Sequence, residues 1–279
     1  IAIAVHTSPG EEVICDKLSH IYNYEGGGIA RLSGASVRLL QGDLGRFTAS
    51  DVRSNVNPLD SHYAKTSLVS LEDTCNKGGG SIWDLSELRE VSKVSRELGL
   101  AVHLDGARLW NAIVARGIHN DVKALQEYGS NFDSISLCFS KGLGCPIGSV
   151  LIGSTSFIAK AHRARKVFGG GMRQAGIVAA AGIYALENNI DRLEIDHARA
   201  KRLGEAALHH PSVISHYPID TNIVILELQK GVDADALSAE WGRNGIECFQ
   251  FGPSSIRFVT HLDNTDAQID AACNYLSKI

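Results

Sequence analysis

The chain has 279 residues, of which 44% are hydrophobic, so it can bury one large core and a smaller one. Its net charge of −4 provides no basic field for nucleic acid. Every hydrophobic run is shorter than the ~20 residues that span a bilayer. We therefore expect a soluble, cytoplasmic protein that binds neither nucleic acid nor membrane.

The cysteines are widely separated and lack the paired spacing of a metal site. The six are Cys15, Cys75, Cys138, Cys145, Cys248 and Cys273. Several have apolar neighbours, as reduced core thiols do, which indicates a reducing compartment. The eleven histidines also show no ligand spacing, so we expect no metal.

Strand-like and helix-like segments alternate through the first two thirds of the chain. Strands are expected at residues 13–16, 36–41, 67–71, 101–105, 134–139 and 148–152, and helices at 21–32, 49–56, 84–98 and 154–167. Asp84 precedes leucines and valines at helical spacing, which predicts an N-cap. The alternation predicts a mostly parallel sheet covered by helices on both faces.

The remaining chain predicts a smaller α+β domain. An apolar run at 175–186 indicates a buried helix that ends at residues 188–189, and a second helix is expected at 191–209. Further strands are expected at 222–228, 246–251 and 255–259, and helices at 234–243 and 265–277. We accordingly predict a large domain at 1–188 and a small domain at 189–279.

A lysine and an acid stand at the ends of two predicted strands. Asp105 ends the strand at 101–105, and Lys141 follows the strand at 134–139. A lysine amine can form a Schiff base with an aldehyde cofactor, and a carboxylate can keep a cofactor's ring nitrogen protonated. The pair therefore points to pyridoxal phosphate. The alternative is a solvated loop lysine and an aspartate that caps a helix at 106–112.

Four segments of the chain resemble the threonine aldolase family, within the aromatic amino acid β-eliminating lyase group. They are HLDGARLWNA at 103–112, SKGL at 140–143, GGGMRQAG at 169–176 and IRFVTH at 256–261. The resemblance implies an aspartate aminotransferase-like fold, called fold type I, with pyridoxal 5'-phosphate as its cofactor. It also implies a family segment upstream of Ile1, with a loop for the cofactor phosphate, that this chain does not carry.

The resemblance assigns the cofactor contacts. It implies that Lys141 holds the cofactor and that Asp105 contacts its ring nitrogen. His20 would stack on the ring and exchange protons, with Glu25 as a weaker candidate for a supporting or base role. Arg173 would reach the phosphate across a subunit boundary, which implies a homodimer or homotetramer with its active site at the interface.

Two arginines are the predicted partners of the substrate carboxylate. Arg108 lies three residues beyond Asp105, next to the cofactor, and Arg257 lies in the strand at 255–259. A guanidinium group can grip a carboxylate with two hydrogen bonds. The family uses the residue matching Arg257 for this purpose.

One residue departs from the family pattern. The segment LEDTCN at 71–76 has Cys75 where the family commonly has a histidine close to the substrate hydroxyl. A thiol near neutral pH is mostly a weak donor, with a reference pKa of ~8.5 against ~6.5 for imidazole. Cys75 is therefore either a catalytic, substrate-binding residue or a packing substitution that leaves proton transfer to His20 or water.

Three functions follow from these observations. The first is a lyase that splits threonine, allo-threonine and similar β-hydroxy-α-amino acids into glycine and an aldehyde. The second is an amino acid racemase, for example of alanine, on the same scaffold; Cys75 keeps it open. The third is a non-catalytic, truncated isoform, which the missing upstream segment suggests.

Overall fold

Six strands form the larger of two sheets in the computed structural model, which describes residues 1–277. They are β1 (Glu12–Asp16), β2 (Ser36–Leu40), β3 (Thr66–Glu72), β4 (Ala101–Gly106), β5 (Ser134–Cys138) and β6 (Ser149–Gly153). Their order is β2-β1-β3-β4-β5-β6. The first five are parallel and β6 runs antiparallel to β5, so the predicted mostly parallel sheet is confirmed.

Helices cover both faces of this sheet. The helices of residues 1–277 are α1 (Ala2–His6), α2 (His20–Asn23), α3 (Ala49–Asn55), α4 (Leu85–Glu97), α5 (Leu109–Ala115), α6 (Val122–Gly129), α7 (Thr155–Val167), α8 (Gly176–Asn188), α9 (Leu193–Ala207), α10 (Ala234–Arg243) and α11 (Asp266–Leu276), of which α9 to α11 pack with a second, smaller sheet. Leu68 and Val69 are adjacent in β3 and point to opposite faces. Val69 packs with Leu88 of α4, whereas Leu68 packs with Ile29. Two apolar layers therefore enclose the strands.

The second sheet is antiparallel and lies later in the chain. It contains β7 (Val213–His216), β8 (Ile223–Leu228), β9 (Phe249–Gly252) and β10 (Ser255–Val259), in the order β7-β8-β10-β9. Trp241 of α10 is fully buried against it, and its ring stacks on Phe258 with centroids 5.7 Å apart. This confirms the smaller α+β unit. The domain boundary between residues 188 and 189 stays a prediction.

Two local predictions were wrong. The helix expected at 21–32 is interrupted, because Gly26 and Gly27 have φ angles of 59° and 71°, outside the helical region. Only α2 and a π-helical turn at Ile29–Ser33 form there. The helix expected to be buried at 175–186 exists as α8, but Ile177 is 82% exposed, since no element of residues 1–277 covers that face.

Other expectations need smaller changes. The N-cap is confirmed, because the Oδ1 atom of Asp84 accepts hydrogen bonds from the backbone N–H of Ser86 at 2.8 Å and of Glu87 at 3.2 Å. Strand β7 was missed, and β9 begins three residues later than expected, at Phe249. Within residues 1–277, no helix is both long and apolar enough to cross a bilayer.

A buried ion pair connects β3 to the helices behind it. Arg116, at the end of α5, contacts Asp73 with Nη2 2.9 Å from Oδ2, and Tyr128 of α6 donates a hydrogen bond of 2.7 Å to the same oxygen. The Arg116 side chain is 6% exposed and Asp73 is fully buried. The pair holds the chain immediately after the carboxyl end of β3.

We expect Arg116→Met to lower the free energy of unfolding by about 3–5 kcal/mol, because it leaves the Asp73 carboxylate buried without its cation. Urea unfolding followed by circular dichroism measures this loss. The matched control is Arg53→Met, which breaks an exposed pair with Glu97 and should cost less than about 1 kcal/mol. Equal losses of unfolding free energy in the two variants would contradict the conclusion that the buried pair of Arg116 and Asp73 stabilises the fold more than an exposed pair does.

Candidate active site

The carboxyl ends of the parallel strands meet at one edge of the large sheet, where the crevice of an open α/β sheet lies. Asp16, Glu72 and Asp105 stand at the ends of β1, β3 and β4. Asp105 pairs in register with Glu72 on one side and with Ser136 on the other. Lys141 follows the end of the next strand, β5. The expectation that Asp105 and Lys141 lie at strand ends is confirmed.

Asp105 is a buried carboxylate that lacks a charged partner in residues 1–277. It is 9% exposed, and its Oδ1 atom accepts a hydrogen bond of 3.1 Å from the backbone N–H of Ala107. Burial raises its pKa, while the Ala107 N–H and the charges of Lys141 and His20 oppose that shift. The alternative of an N-cap is wrong, because α5 begins only at Leu109 and its N-cap residue is Arg108.

Lys141 begins a tight loop that packs on α9. The backbone N–H of Gly144 donates a hydrogen bond of 2.9 Å to the carbonyl of Lys141, and Gly144 has a φ angle of 74°. A Cβ atom at Gly142 would lie 2.8 Å from the Cδ2 atom of Leu193, so the loop and α9 are in close contact at this point. The glycines that follow Lys141 thus allow its backbone to lie directly against the helix.

A cavity of about 310 Å³ opens between the two sheets. Its walls include Lys141 and Arg108 from the large sheet's side, and Asn222, Val259 and His261 from the small sheet's side. The space therefore joins the predicted cofactor lysine to one predicted substrate arginine. Sequence reasoning did not single out Asn222 or His261, because their place in the wall depends on the packing of the two sheets.

Arg108 has no ion pair and no side-chain hydrogen bond within residues 1–277, and it faces the cavity. Burial lowers its pKa, and the positive charge of Arg257 lowers it further, while Glu72 and Asp105 oppose the shift. The two positively charged guanidinium groups of Arg108 and Arg257 therefore repel each other. Such an arrangement favours an anionic ligand between them.

Arg257 lies in β10 and reaches toward the large sheet. Its Nη1 atom donates a hydrogen bond of 2.9 Å to Oδ1 of Asn76, and its guanidinium carbon lies 5.1 Å from the centre of the Phe251 ring. Its Nε atom is buried without a hydrogen-bond partner in the described residues. One donor of Arg257 is therefore occupied by protein and another remains available.

His20 begins α2, shortly after β1. Its Nδ1 atom lies 2.8 Å from Oε1 of Glu25, and its ring centre lies 5.0 Å from that of Tyr24. If Nδ1 carries the proton toward Glu25, then Nε2 is the acceptor nitrogen of the ring. The backbone N–H of His20 donates a hydrogen bond of 2.7 Å to Glu72, which pairs in register with Asp105, so His20 lies at the same edge of the sheet as Asp105.

Glu72 is a site residue that sequence reasoning left without a role. It is 4% exposed, and its two carboxylate oxygens accept hydrogen bonds from the backbone N–H of His20 at 2.7 Å and of Asn76 at 2.9 Å. Burial and the neighbouring Asp105 raise its pKa to about 8, against these two N–H groups and Arg108. The feature of the sequence that could have identified Glu72 is its position at the end of β3, a predicted strand like the one that carries Asp105.

Cys75 is fully buried and packs against Gly45. A Cβ atom at Gly45 would lie 2.2 Å from its sulfur, so the two residues are in close contact. Burial raises the pKa of the thiol, and the nearby Glu72 raises it further. A protonated thiol enclosed in this way is a poor proton acceptor.

Arg173 lies in an exposed segment between α7 and α8. It has no ion pair or hydrogen bond to another side chain within residues 1–277. Arg173 is exposed to solvent and is not among the residues that line the cavity. A contact with the site, as the resemblance implies, would need a second copy of the chain.

Comparisons with known proteins identify the family to which the chain belongs. The family model for beta-eliminating lyases matches residues 1–230. The low-specificity L-threonine aldolase of Candida albicans is 43% identical over 225 residues, which cover 79% of this chain and 58% of that protein. The protein of the same name in Escherichia coli (strain K12) is 37% identical over 270 residues, covering 96% of this chain and 77% of its own length.

A solved structure supports the same fold. The threonine aldolase of Leishmania major superposes with a TM-score of 0.82 over 99% of this chain and 80% of that one, at 21% sequence identity. The architecture is thus that of the fold type I enzymes. The chain belongs to the beta-eliminating lyase family and, within it, to the threonine aldolases.

We expect Arg108→Met to raise the stability of the cofactor-free protein by on the order of 1 kcal/mol, because it removes a desolvated, unpaired charge held for a ligand. Urea unfolding at neutral pH checks this. The outcome should be opposite in sign to that of Arg116→Met, in which a paired arginine is lost. Destabilisation of similar size in both variants would refute the distinction between the unpaired Arg108 and the paired Arg116.

The free energy of unfolding should also depend on Glu72. Because its folded pKa of about 8 lies above its ordinary value of 4.5, folding favours the protonated form. This contribution is complete below pH 4.5 and is lost as the pH rises toward 8. Glu72→Gln should therefore show a flatter decline over that interval, measured by urea unfolding of the cofactor-free protein at several pH values. Identical slopes of unfolding free energy against pH in the two proteins would contradict the raised pKa of Glu72.

Proposed function

We propose that this chain is a pyridoxal phosphate-dependent aldolase that splits threonine, allo-threonine and similar β-hydroxy-α-amino acids into glycine and an aldehyde. The observation that carries the proposal is Asp105, a buried carboxylate without an ion-pair partner in residues 1–277, on the strand beside the one that precedes Lys141, with Arg108 and Lys141 lining the cavity between the two sheets. The printed names of the Candida albicans and Escherichia coli relatives support the same activity.

The residues fit the cofactor. Asp105 lacks an ion-pair partner within residues 1–277, and a protonated pyridine nitrogen would supply one. Lys141 lies at the neighbouring strand end, where its amine can bind the cofactor's aldehyde carbon. The ring of His20 belongs to the same cluster and would stack on the pyridine. Pyridoxal phosphate, when bound, draws electrons away from the Cα atom of the amino acid and so weakens its bond to Cβ.

The two arginines fit the amino acid's carboxylate. Arg108 faces the cavity with no protein partner in the described chain, and Arg257 has a buried Nε without one. A carboxylate between them would relieve the repulsion of the two like charges. Fixing that carboxylate orients the Cα substituents relative to Asp105 and Lys141, which determines the bond that breaks.

His20 is the group that we assign to the hydroxyl proton. Its Nδ1–H can donate to Glu25, which leaves Nε2 as the base, and Glu25 stabilises the charge that His20 gains. Cys75 is assigned to packing, because the thiol is enclosed and its pKa is raised. Loss of the hydroxyl proton lets the Cβ atom leave as an aldehyde, and protonation of Cα then yields glycine.

A complete site would need more than one copy of the chain. Arg173 is exposed on the glycine-rich segment, and the neighbouring α8 presents Ile177 and Tyr184 to solvent. Apolar residues on an uncovered helix face favour self-association. We propose a homodimer or homotetramer in which Arg173 contacts the phosphate of a cofactor held by the neighbouring copy.

We expect Lys141→Ala to abolish both the visible absorbance of the bound cofactor and the release of acetaldehyde from threonine, because it removes the amine that would bind the cofactor's aldehyde carbon. Absorbance spectroscopy and a coupled aldehyde assay measure the two losses. The matched control is Lys160→Ala, which removes an exposed lysine of α7 and should change neither.

Two other results would overturn the proposal. Conversion of L-alanine to D-alanine by the wild-type protein, without aldehyde from threonine, would assign it as a racemase. A colourless wild-type protein after incubation with pyridoxal phosphate would assign a non-catalytic role.

A further inference from the structure

Glu72 is a buried carboxylate at the centre of the site that the proposed chemistry does not use. It ends β3 and pairs in register with Asp105 of β4. At 4% exposure, its carboxyl group is separated from solvent and lies beside a second carboxyl group, that of Asp105. Burying a carboxyl group costs free energy unless hydrogen bonds compensate for the lost water. The contacts of Glu72 therefore indicate what its burial achieves.

Both oxygens of Glu72 bind main-chain groups of two different loops. Oε2 accepts a hydrogen bond of 2.7 Å from the N–H of His20, where the loop after β1 enters α2. Oε1 accepts one of 2.9 Å from the N–H of Asn76, in the loop after β3. A single side chain therefore sets the distance between these two loops.

Each loop carries a functional group toward the ligand. The loop after β1 presents the His20 ring, whose Nδ1 is fixed by Glu25 at 2.8 Å. The loop after β3 presents Asn76, whose Oδ1 accepts a hydrogen bond of 2.9 Å from Arg257. A continuous chain of contacts thus runs from His20 through Glu72 and Asn76 to Arg257, across the two sheets.

We propose that Glu72 is a positioning residue that holds the stacking ring of His20 and the substrate-binding guanidinium of Arg257 in one fixed relation; this inference rests on the proposed function. The side chain has the two acceptors that the two N–H groups require. Glutamine offers one acceptor oxygen, and its NH₂ group would face an N–H donor. Aspartate is one methylene shorter and does not span both loops.

The test compares Glu72→Gln with the wild-type protein in three measurements. They are the affinity of the cofactor-free protein for pyridoxal phosphate, the visible circular dichroism of the bound cofactor relative to its absorbance, and KM and kcat for L-threonine. We expect about tenfold weaker cofactor affinity, a reduced dichroism ratio and about tenfold higher KM, because one of the two hydrogen bonds that hold the His20 and Asn76 backbones is lost. We expect kcat to change less than KM.

The second arm tests the path to Arg257. Asn76→Ala alone should raise KM and leave the dichroism ratio unchanged, because it releases the arginine but not the ring. In the Glu72→Gln background, Asn76→Ala should raise KM by clearly less than it does alone. Additive effects on KM would overturn the inference, and so would an unchanged KM in Asn76→Ala, which can be measured even if Glu72→Gln fails to fold.

The matched control is Glu12→Gln. Glu12 is also buried and accepts hydrogen bonds from Asn57 at 3.0 Å and Thr66 at 3.3 Å, but it starts β1 at the opposite end of the sheet. It should lower stability and leave the three measurements unchanged. Equal changes in both variants would indicate a general structural effect and sink the inference.

Failure of the inference and failure of the proposed function give different results. A wild-type protein that lacks the visible band or releases no acetaldehyde refutes the function and the inference together. A wild-type protein with both properties, matched in all three measurements by Glu72→Gln, refutes the inference alone.

Discussion

The site depends on how the large sheet accommodates several carboxylates at a single edge with little solvent. Asp16 and Glu72 are the last residues of β1 and β3, Asp105 is the last but one of β4, and all three accept hydrogen bonds from main-chain N–H groups. Asp16, for example, accepts bonds of 2.7 Å from the N–H groups of Leu18 and of Gly42. Backbone donors stabilise a carboxylate without neutralising it. Asp105 therefore remains free to pair with a ligand.

The arginines of this chain divide into two kinds according to the same principle. Arg116 and Arg192 are nearly buried and paired with Asp73 and Asp196, so their charges are compensated within the protein. Arg108 faces the cavity without a counter-ion in residues 1–277. A charge that the folded chain leaves uncompensated reduces its stability, which is typical of binding sites. The absence of a counter-ion at Arg108 within residues 1–277 is therefore stronger evidence for a binding role than the position of Arg108 in the sequence.

Contacts between the two sheets complete the site. Asn111 of α5 lies 3.1 Å from Nε2 of His197 in α9 and donates a hydrogen bond of 3.2 Å to Asn222, next to β8. Burial lowers the pKa of His197 to about 4, so the imidazole is neutral near pH 7 and suits an uncharged network. The helix that follows Arg108 is thereby fastened to the sheet that carries Arg257. The relation of the two arginines follows from this packing.

The sequence alone determined the alternating elements and the places of Asp105 and Lys141, because hydrophobic periodicity and strand ends are local properties. It also predicted most helices, including the cap at Asp84, although the glycines near residue 26 interrupted one of them. Only the tertiary structure decided that Glu72 spans two loops, that Cys75 is enclosed by Gly45, and that α8 is uncovered. Those features depend on contacts between residues that lie far apart in the chain. Such contacts form only when the elements pack together, so no local sequence pattern predicts them.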